Sequence, residues 1–450
     1  MANVAINLRG AFVAAFGGSA DAVSMCRAPG RVNLIGEHTD YNGLPVLPMA
    51  LNREIRVAFR RRDDSTVVLR DLDAAFPNAR FENEGNLKPS EAGEWENYWK
   101  AAVLGLNRHL GLQNFPGFEA LVDSDLPVAA GLSSSSALVV AAALAYLKVC
   151  GFRLGEDISR LELAEVLAEA EHYVGTRGGG MDQAVILNGR DGHACKIDFF
   201  PLQVELTPLP DDCVVVVCDS MVKVRKSGAA LHRYNAGPAS CALICALVQR
   251  QISDEFGEGI SVERLGDLFH GGLCLTYAEA QGICERAVSR PYTTARQAAK
   301  RLDCSLEEVR ERWLNDLPEP EDGFPLRARL RHQLTEYRRV EFARDVMMEG
   351  KGEKLGRLMN ESHASCADDF FIGSPELDAL ADAARASGAL GARLTGAGFG
   401  GAIVSLVPSE ARDTFVTGVT ERYYRGYHGY EGEPPVFVAR ACEGAGYDED

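Results

Sequence analysis

A two-domain α+β fold is the prediction, and three observations carry it. Segments with period-two alternation of apolar and polar residues mix with segments of helical spacing, without the strict strand–helix–strand rotation of a parallel α/β protein. A chain of 450 residues exceeds one average domain. Its 46% hydrophobic and 25% charged residues are those of an ordinary globular protein with ample core. The division is expected near residue 210, giving domains over 1–210 and 211–450.

Taken in order, residues 6–16 have helical spacing and stop at Gly17 and Gly18. Residues 31–35 alternate briefly, as a short strand does. In 54–59, Ile55, Val57 and Phe59 alternate with Glu54, Arg56 and Ala58, which predicts a strand with one wet face. Residues 65–69 are expected as its hairpin partner and 118–122 as a further strand. Between them 97–109 reads as a helix, with Trp95 just ahead and Trp99 in its first turn. A long apolar helix is expected from Ala137 and another over 161–172. Continuous valines make 213–218 a buried strand, and 236–349 is mainly helical, broken near 257–259, 291 and 318–325. Ser374 as cap and Pro375 in the first turn start a helix that Gly388 ends. Residues 402–407 and 436–441 are expected as strands and 443–450 as a tail. No repeat or low-complexity linker interrupts the chain.

The formal net charge of −17 works against nucleic acid and anionic membranes as partners. A nucleotide can still bind where a nest of backbone N–H groups supplies positive potential. The 12 cysteines form no CxxC pair and no zinc-spaced cluster, which fits a reducing, cytoplasmic setting. The apolar residues 11–16 follow only a lone Arg9, a poor signal peptide, and the longest uncharged apolar run, 137–147, is too short to span a bilayer.

Four stretches carry chemistry. Residues 27–43, RAPGRVNLIGEHTDYNG, crowd Arg31, Glu37, His38, Asp40, Tyr41 and Asn42 between turn signals; alone this could be a solvated turn. Residues 127–137, PVAAGLSSSSA, run into an apolar helix, so backbone N–H groups, hydroxyls and the positive end of the helix dipole make an anion cradle. The alternative is a buried helix whose serines only cap it. No Walker sequence is present. Residues 175–183, GTRGGGMDQ, bring the backbone close to something and present Asp182, either to orient or deprotonate a hydroxyl or to cap a helix. Upstream, Glu171 either reaches a magnesium ion or is solvated at a helix end. Residues 394–401, LTGAGFGG, precede a strand and so form no dinucleotide fingerprint; they suit a second phosphate-facing or packing loop.

Together the four stretches resemble the galactokinases, within the superfamily of galacto-, homoserine, mevalonate and phosphomevalonate kinases. GRVNLIGEHTDYNG is the most specific element, and WENYWKAAVLG, GGGMDQ, ESHASCADDFF and SPELDAL extend the likeness over nearly the whole chain. The resemblance implies two α+β domains with the active site in the cleft between them. It implies that Asp182 acts as base or electrostatic partner for the anomeric hydroxyl of galactose and that Arg31 orients the pair. A carboxylate beside Arg31 is expected to keep a low pKa and to orient at least as much as it deprotonates. Glu37, His38, Asp40, Gly179 and Tyr234 would hold sugar hydroxyls. Gly131, Leu132, Ser133, Ser134, Ser135 and Ser136 would cradle the phosphates of ATP, with Gly396 and Gly398 in the second glycine loop and Trp95 at the adenine. Ser135 and Glu171 would hold Mg²⁺. A monomer working on small molecules is expected.

Three departures stand out. Gly237 occupies a position where the family usually has arginine. Ser136 stands where some members have alanine. GTRGGGMDQ and the segment 291–309 are closer to longer galactokinases and N-acetylgalactosamine kinases than to the short form. Tyr234, in place of phenylalanine, favours galactose over N-acetylgalactosamine; arabinose and galacturonate stay open. A non-catalytic sugar sensor would have lost part of the serine loop, which is intact here.

Overall fold

The computed structural model describes residues 6–175, 178–223, 229–270, with backbone alone for 229–232, and 273–448. The chain opens with α1 (Leu8–Phe16), β1 (Ser24–Ile35), β2 (Leu47–Arg61), β3 (Thr66–Asp71) and β4 (Ala79–Glu82). It continues through α2 (Glu96–His109), β5 (Phe118–Ser124), α3 (Ser134–Cys150), α4 (Arg160–Ala170) and α5 (Met181–Asn188). Next come β6 (His193–Asp198), β7 (Gln203–Pro208), β8 (Cys213–Asp219), α6 (Ala229–Phe256), α7 (Tyr277–Ala287), α8 (Ala295–Leu302) and α9 (Leu306–Val309). The last part holds α10 (Leu326–Met348), α11 (Gly352–Asp368), α12 (Pro375–Ala386), β9 (Gly391–Leu394), β10 (Ala402–Pro408), α13 (Arg412–Val419), β11 (Val436–Ala439) and β12 (Gly446–Tyr447).

The strands form a six-stranded sheet in the order β12-β1-β2-β5-β3-β4, a four-stranded antiparallel sheet in the order β11-β8-β10-β9, and the pair β6-β7. This is an α+β arrangement, with β3 and β5 the parallel pair of the large sheet. Helix α3 is apolar on every side, and nearly all of it from Ser136 to Val149 is buried, so it packs inside the first layer against β1, β2, α2 and α5. Helices α6, α7, α8 and α10 share a second core, and α12 and α13 cover the four-stranded sheet. Among the described residues no helix is long and apolar enough to cross a membrane.

Several expectations are corrected. The strand at 65–69 exists as β3 but is not the partner of β2, because β5 lies between them. A Cβ on Gly117 would stand 2.2 Å from the Thr66 carbonyl oxygen, so glycine lets β5 enter there. The antiparallel partner of β3 is β4, a short strand without a strong pattern. Helix α3 begins at Ser134, three residues before the apolar run, so the serines form its first turn. The expected tail over 443–450 is corrected as far as residue 448, where the described residues end: Tyr447 and Gly446 pair with Cys26 and Arg27 of β1. The Tyr447 hydroxyl donates to the Leu144 carbonyl at 2.8 Å.

Besides a seam where β2 meets the chain after β11, with the Asn52 N–H donating to the Arg440 carbonyl at 3.1 Å, the two larger sheets are stitched at a second place. The Asn33 N–H of β1 donates to Thr395 Oγ1 at 2.9 Å, and Arg393 Nη1 of β9 donates to the Asn33 carbonyl at 2.9 Å. The chemically conspicuous stretches all converge there.

Candidate active site

Arg31 sits on β1 between two irregularities of the β1–β2 register, at Pro29/Arg31 and Asn33/Ile35. Such bulges bend a strand and re-aim its side chains. Gly30 admits the serine loop: a Cβ there would stand 2.8 Å from the Leu132 carbonyl oxygen, to which the Arg31 N–H donates at 3.1 Å. The Arg31 guanidinium then forks onto Asp182, with Nε to Oδ1 at 2.7 Å and Nη2 to Oδ2 at 3.2 Å, and Nη1 donates to the Gly131 carbonyl at 2.6 Å. Burial works against the charge of Arg31, but Asp182, Glu37 and Asp40 more than offset it and its pKa is raised.

Asp182 lies in the first turn of α5, behind Gly180 with φ +99°. Its Oδ2 accepts from the Ser133 hydroxyl and, at 3.4 Å, from the Ser136 hydroxyl. Ser133 holds φ +60°, a conformation that a non-glycine residue keeps only when its surroundings impose it.

Two cavities meet at this pair. The smaller, of about 90 Å³, is walled by Glu37, His38, Asp40, Tyr41, Glu171 and Tyr234, with Ser136, Gly180 and Gly396 also on its surface. The larger, of about 350 Å³, is walled by Phe76, Trp95, Tyr98, Leu138 and the segment from Gly131 to Ser135. Both share Arg31, Asp182 and Ala397.

On the smaller cavity, Asp40 Oδ2 accepts the Gly179 N–H at 3.0 Å. A Cβ at Gly179 would stand 2.3 Å from the Tyr41 nitrogen, so only glycine allows the two loops to touch. His38 is held at φ +58°, its Nε2 3.3 Å from the Ala397 carbonyl and its Nδ1 3.2 Å from the Tyr41 hydroxyl. A carbonyl only accepts, so Nε2 carries the proton and Nδ1 accepts from Tyr41. Burial, then His332, pushes the His38 pKa down to about 3, and the ring is neutral at physiological pH. Glu37 is buried and paired with the equally buried Arg393 at 3.0 Å. Tyr234 of α6 packs its ring 5.7 Å from that of His38.

The support for these residues comes from α10, which carries no motif in the sequence. Glu336 Oε1 accepts the N–H groups of Gly36 at 2.9 Å and Glu37 at 3.4 Å, and the Ser362 hydroxyl. Arg339 Nε donates to its other oxygen at 2.6 Å. Burial acts to raise the Glu336 pKa, yet Arg339, His332 and Arg393 bring it down to about 2. Gln333 donates to the His38 carbonyl at 2.8 Å and accepts from Asn42 at 2.8 Å; His332 Nε2 contacts the Glu37 carbonyl at 2.9 Å. Polar residues at helical spacing read as a solvated face in the sequence, and only the structure shows His332, Gln333 and Glu336 fully buried.

Gly237 faces Phe370: a Cβ there would stand 3.0 Å from that ring and 3.6 Å from the Tyr41 hydroxyl. Any side chain at that position needs the Phe370 ring to give by a few tenths of an ångström. Arg329 of α10 donates to the Ala236 carbonyl and to the Ser240 hydroxyl.

On the larger cavity, Trp95 precedes α2 and donates its indole N–H to the Pro77 carbonyl at 2.8 Å, facing Phe76. The two glycine-containing loops dock backbone to backbone. A Cβ on Gly396 would stand 2.7 Å from the Gly131 carbonyl oxygen, and one on Gly401 would stand 3.0 Å from that of Ala130. Gly398 lies on neither cavity wall; a Cβ there would stand 2.4 Å from the Ile372 carbonyl oxygen. Ser135 is on the larger cavity and Glu171 on the smaller, one hard oxygen donor in each. Among the described residues no cluster of three or more His, Cys, Asp or Glu side chains forms a metal cage. Two oxygen donors suit Mg²⁺, which keeps waters and substrate phosphates as its remaining ligands. Thr176 and Arg177 of GTRGGGMDQ lie outside the described residues.

Comparison with known proteins agrees with this geometry. Residues 10–61 match the galactokinase galactose-binding signature, 97–190 the N-terminal domain of GHMP kinases and 343–425 their C-terminal domain. The chain is 31% identical to a galactokinase of Dictyostelium discoideum, covering 93% of this chain and 89% of that protein. It is 36% identical to one of Chloroflexus aggregans, covering 89% and 87%. It superposes on the Lactococcus lactis galactokinase complexed with galactose with a TM-score of 0.76 and 28% identity, over 98% of both chains. A mevalonate kinase structure shares the fold at 15% identity, with a TM-score of 0.55.

Proposed function

The chain belongs to the galactokinase family, and from that premise we infer that it transfers the γ-phosphoryl group of ATP to the anomeric hydroxyl of D-galactose, giving galactose 1-phosphate and ADP. The observation that carries this reading is the meeting of a small polar cavity and a larger, aromatic-walled cleft at the Arg31–Asp182 pair. Phosphoryl transfer asks mainly for positioning and charge neutralisation, and this arrangement supplies both.

In this reading galactose lies in the smaller cavity, its hydroxyls facing Glu37, Asp40 and Tyr234, with the Gly179 N–H holding the Asp40 carboxylate in place. His38, with both ring nitrogens engaged by the protein, shapes the wall. Asp182 faces the anomeric hydroxyl. Because it accepts from Arg31, Ser133 and Ser136, its lone pairs are largely committed, and it orients the hydroxyl and offsets charge more than it removes a proton. Arg31 holds Asp182 in place and offsets charge on the transferring group. ATP lies in the larger cleft, its adenine at Trp95 and its phosphates on the loop from Gly131 to Ser136 at the positive end of α3. Gly396 fixes the second loop against that cradle, and Gly398 packs the same loop on Ile372. Ser135 and Glu171 would hold Mg²⁺, which when bound neutralises phosphate charge. Buried free thiols such as Cys26, Cys218 and Cys366 agree with a cytoplasmic enzyme, and we propose a monomer.

The test is ADP release from ATP and Mg²⁺ with galactose, N-acetylgalactosamine, arabinose and galacturonate side by side. Turnover with galactose far above the others is the expected result. Turnover confined to another sugar moves the specificity, and galactose binding without ADP release replaces catalysis with sensing.

A further inference from the structure

Glu37 and Arg393 are the most enclosed ion pair described, with side chains 2% and 0% exposed, and they come from segments 356 residues apart. Burying a carboxylate costs several kcal/mol unless an opposite charge and hydrogen bonds compensate it. We propose that Arg393 is a positioning residue for the sugar site, holding the Glu37 carboxylate charged and fixed against the smaller cavity. The proposal rests on the reading that Glu37 faces sugar hydroxyls.

The charges around Glu37 leave this task to Arg393. Arg339 of α10 is engaged by Glu336 at 2.6 Å, and Arg31 of β1 by both oxygens of Asp182. His332 of α10 contacts only the Glu37 backbone carbonyl, and burial acts to keep its ring neutral. Cys366 of α11, 3.6 Å from Arg393 Nη2, has a thiol pushed up to about 12 by burial and competes for no charge. Arg393 Nη1 is shared between Glu37 Oε2 at 3.0 Å and the Asn33 carbonyl at 2.9 Å, so its position is set by β1 itself. Even so, burial outweighs Arg393 and Arg31, and the pKa of Glu37 lies above its ordinary value. Without Arg393 it moves further up, towards working pH.

The test is galactose affinity by calorimetry from pH 6 to 9 for the full-length protein and the variants Arg393→Met, Glu37→Gln and the double variant. Wild-type affinity is expected to be flat with pH. Arg393→Met is expected to bind at least about tenfold more weakly at pH 6 and to recover as pH rises, by up to tenfold per unit while the carboxyl is mostly protonated. Glu37→Gln is expected to bind weakly at every pH, and adding Arg393→Met to it creates no pH dependence. A loss in Arg393→Met that does not vary with pH, or affinity within twofold of wild type, overturns the role of Arg393. Wild-type affinity in Glu37→Gln overturns instead the sugar contact beneath it. Should Arg393→Met fail to fold, the double variant decides. Folding restored when the carboxylate is removed with its counter-ion supports the proposal, and a double variant that also fails to fold overturns it.

Discussion

Asp182 is the side chain on which the two cavities depend, and its surroundings set what it can do. Arg31 is almost fully buried while Asp182 is about a quarter exposed, so the carboxylate reaches the junction and the guanidinium backs it. Charge-assisted, bidentate contacts of this kind fix geometry as well as charge. Asp182→Ala is therefore expected to lower kcat by about 10³-fold or more while circular dichroism stays that of the folded chain. Near-normal turnover in that variant would remove Asp182 from the chemistry. The neutral ring of His38 gives a companion expectation at the same scale. With a pKa near 3, His38 adds no inflection to galactose binding between pH 5 and 8.

Elements carry the support that single residues lack. Helix α10 holds the loop from Gly36 to Asn42 through His332, Gln333 and Glu336, so its face acts as a template for the sugar wall. Gln333→Ala removes one hydrogen bond from the Asn42 amide and one from the His38 carbonyl, each a loss of about 1–3 kcal/mol. Steady-state kinetics should show galactose KM rising about tenfold or more with ATP KM within about twofold; an equal rise in both would place the effect on the fold instead. The second glycine loop predicts the opposite split. Gly396→Ala adds a Cβ 2.7 Å from the Gly131 carbonyl oxygen at φ +82°, which displaces the phosphate cradle, and ATP KM is expected to rise more than galactose KM. The two elements also mark what sequence reading can reach. The residues now seen on the cavity walls, among them Arg31, Glu37, Asp40, Asp182 and Tyr234, sit in compact stretches of unusual composition and could be named beforehand. Arg393, Gln333 and Glu336 act across some 300 residues or more, inside segments whose local pattern is an ordinary strand or helix, and no spacing rule joins them to the loop they hold. The same limit explains β3, whose pattern predicts a strand and says nothing of the neighbour it takes.

For the whole molecule, buried histidines set part of the response to acid. His363 Nδ1 accepts the Leu394 N–H at 3.2 Å, and burial followed by Arg385 brings its pKa from the usual 6.5 to about 4. Between those values the unfolded chain takes up a proton that the native state refuses, so this residue removes about 1.4 kcal/mol of stability per pH unit as pH falls. Asp71, raised to about 6 by burial, acts in the opposite direction, which makes a difference measurement the informative one. Urea midpoints for His363→Gln and the parent from pH 7 to 4 should show the variant losing stability less steeply; parallel lines would assign the acid response elsewhere. The large sheet has a consequence of another kind, for the order in which the protein can be made. Its outer strand β12 pairs with β1 although Tyr447 follows Cys26 by more than four hundred residues, and Arg160 is tied to the Ala445 carbonyl at 2.6 Å. A ribosome delivering the chain from its N-terminus exposes β1 more than four hundred residues before its edge partner. Until then the edge of β1 at Cys26 and Arg27 offers unpaired hydrogen-bonding groups, and release of residues 445–447 from the exit tunnel is the event that covers that stretch.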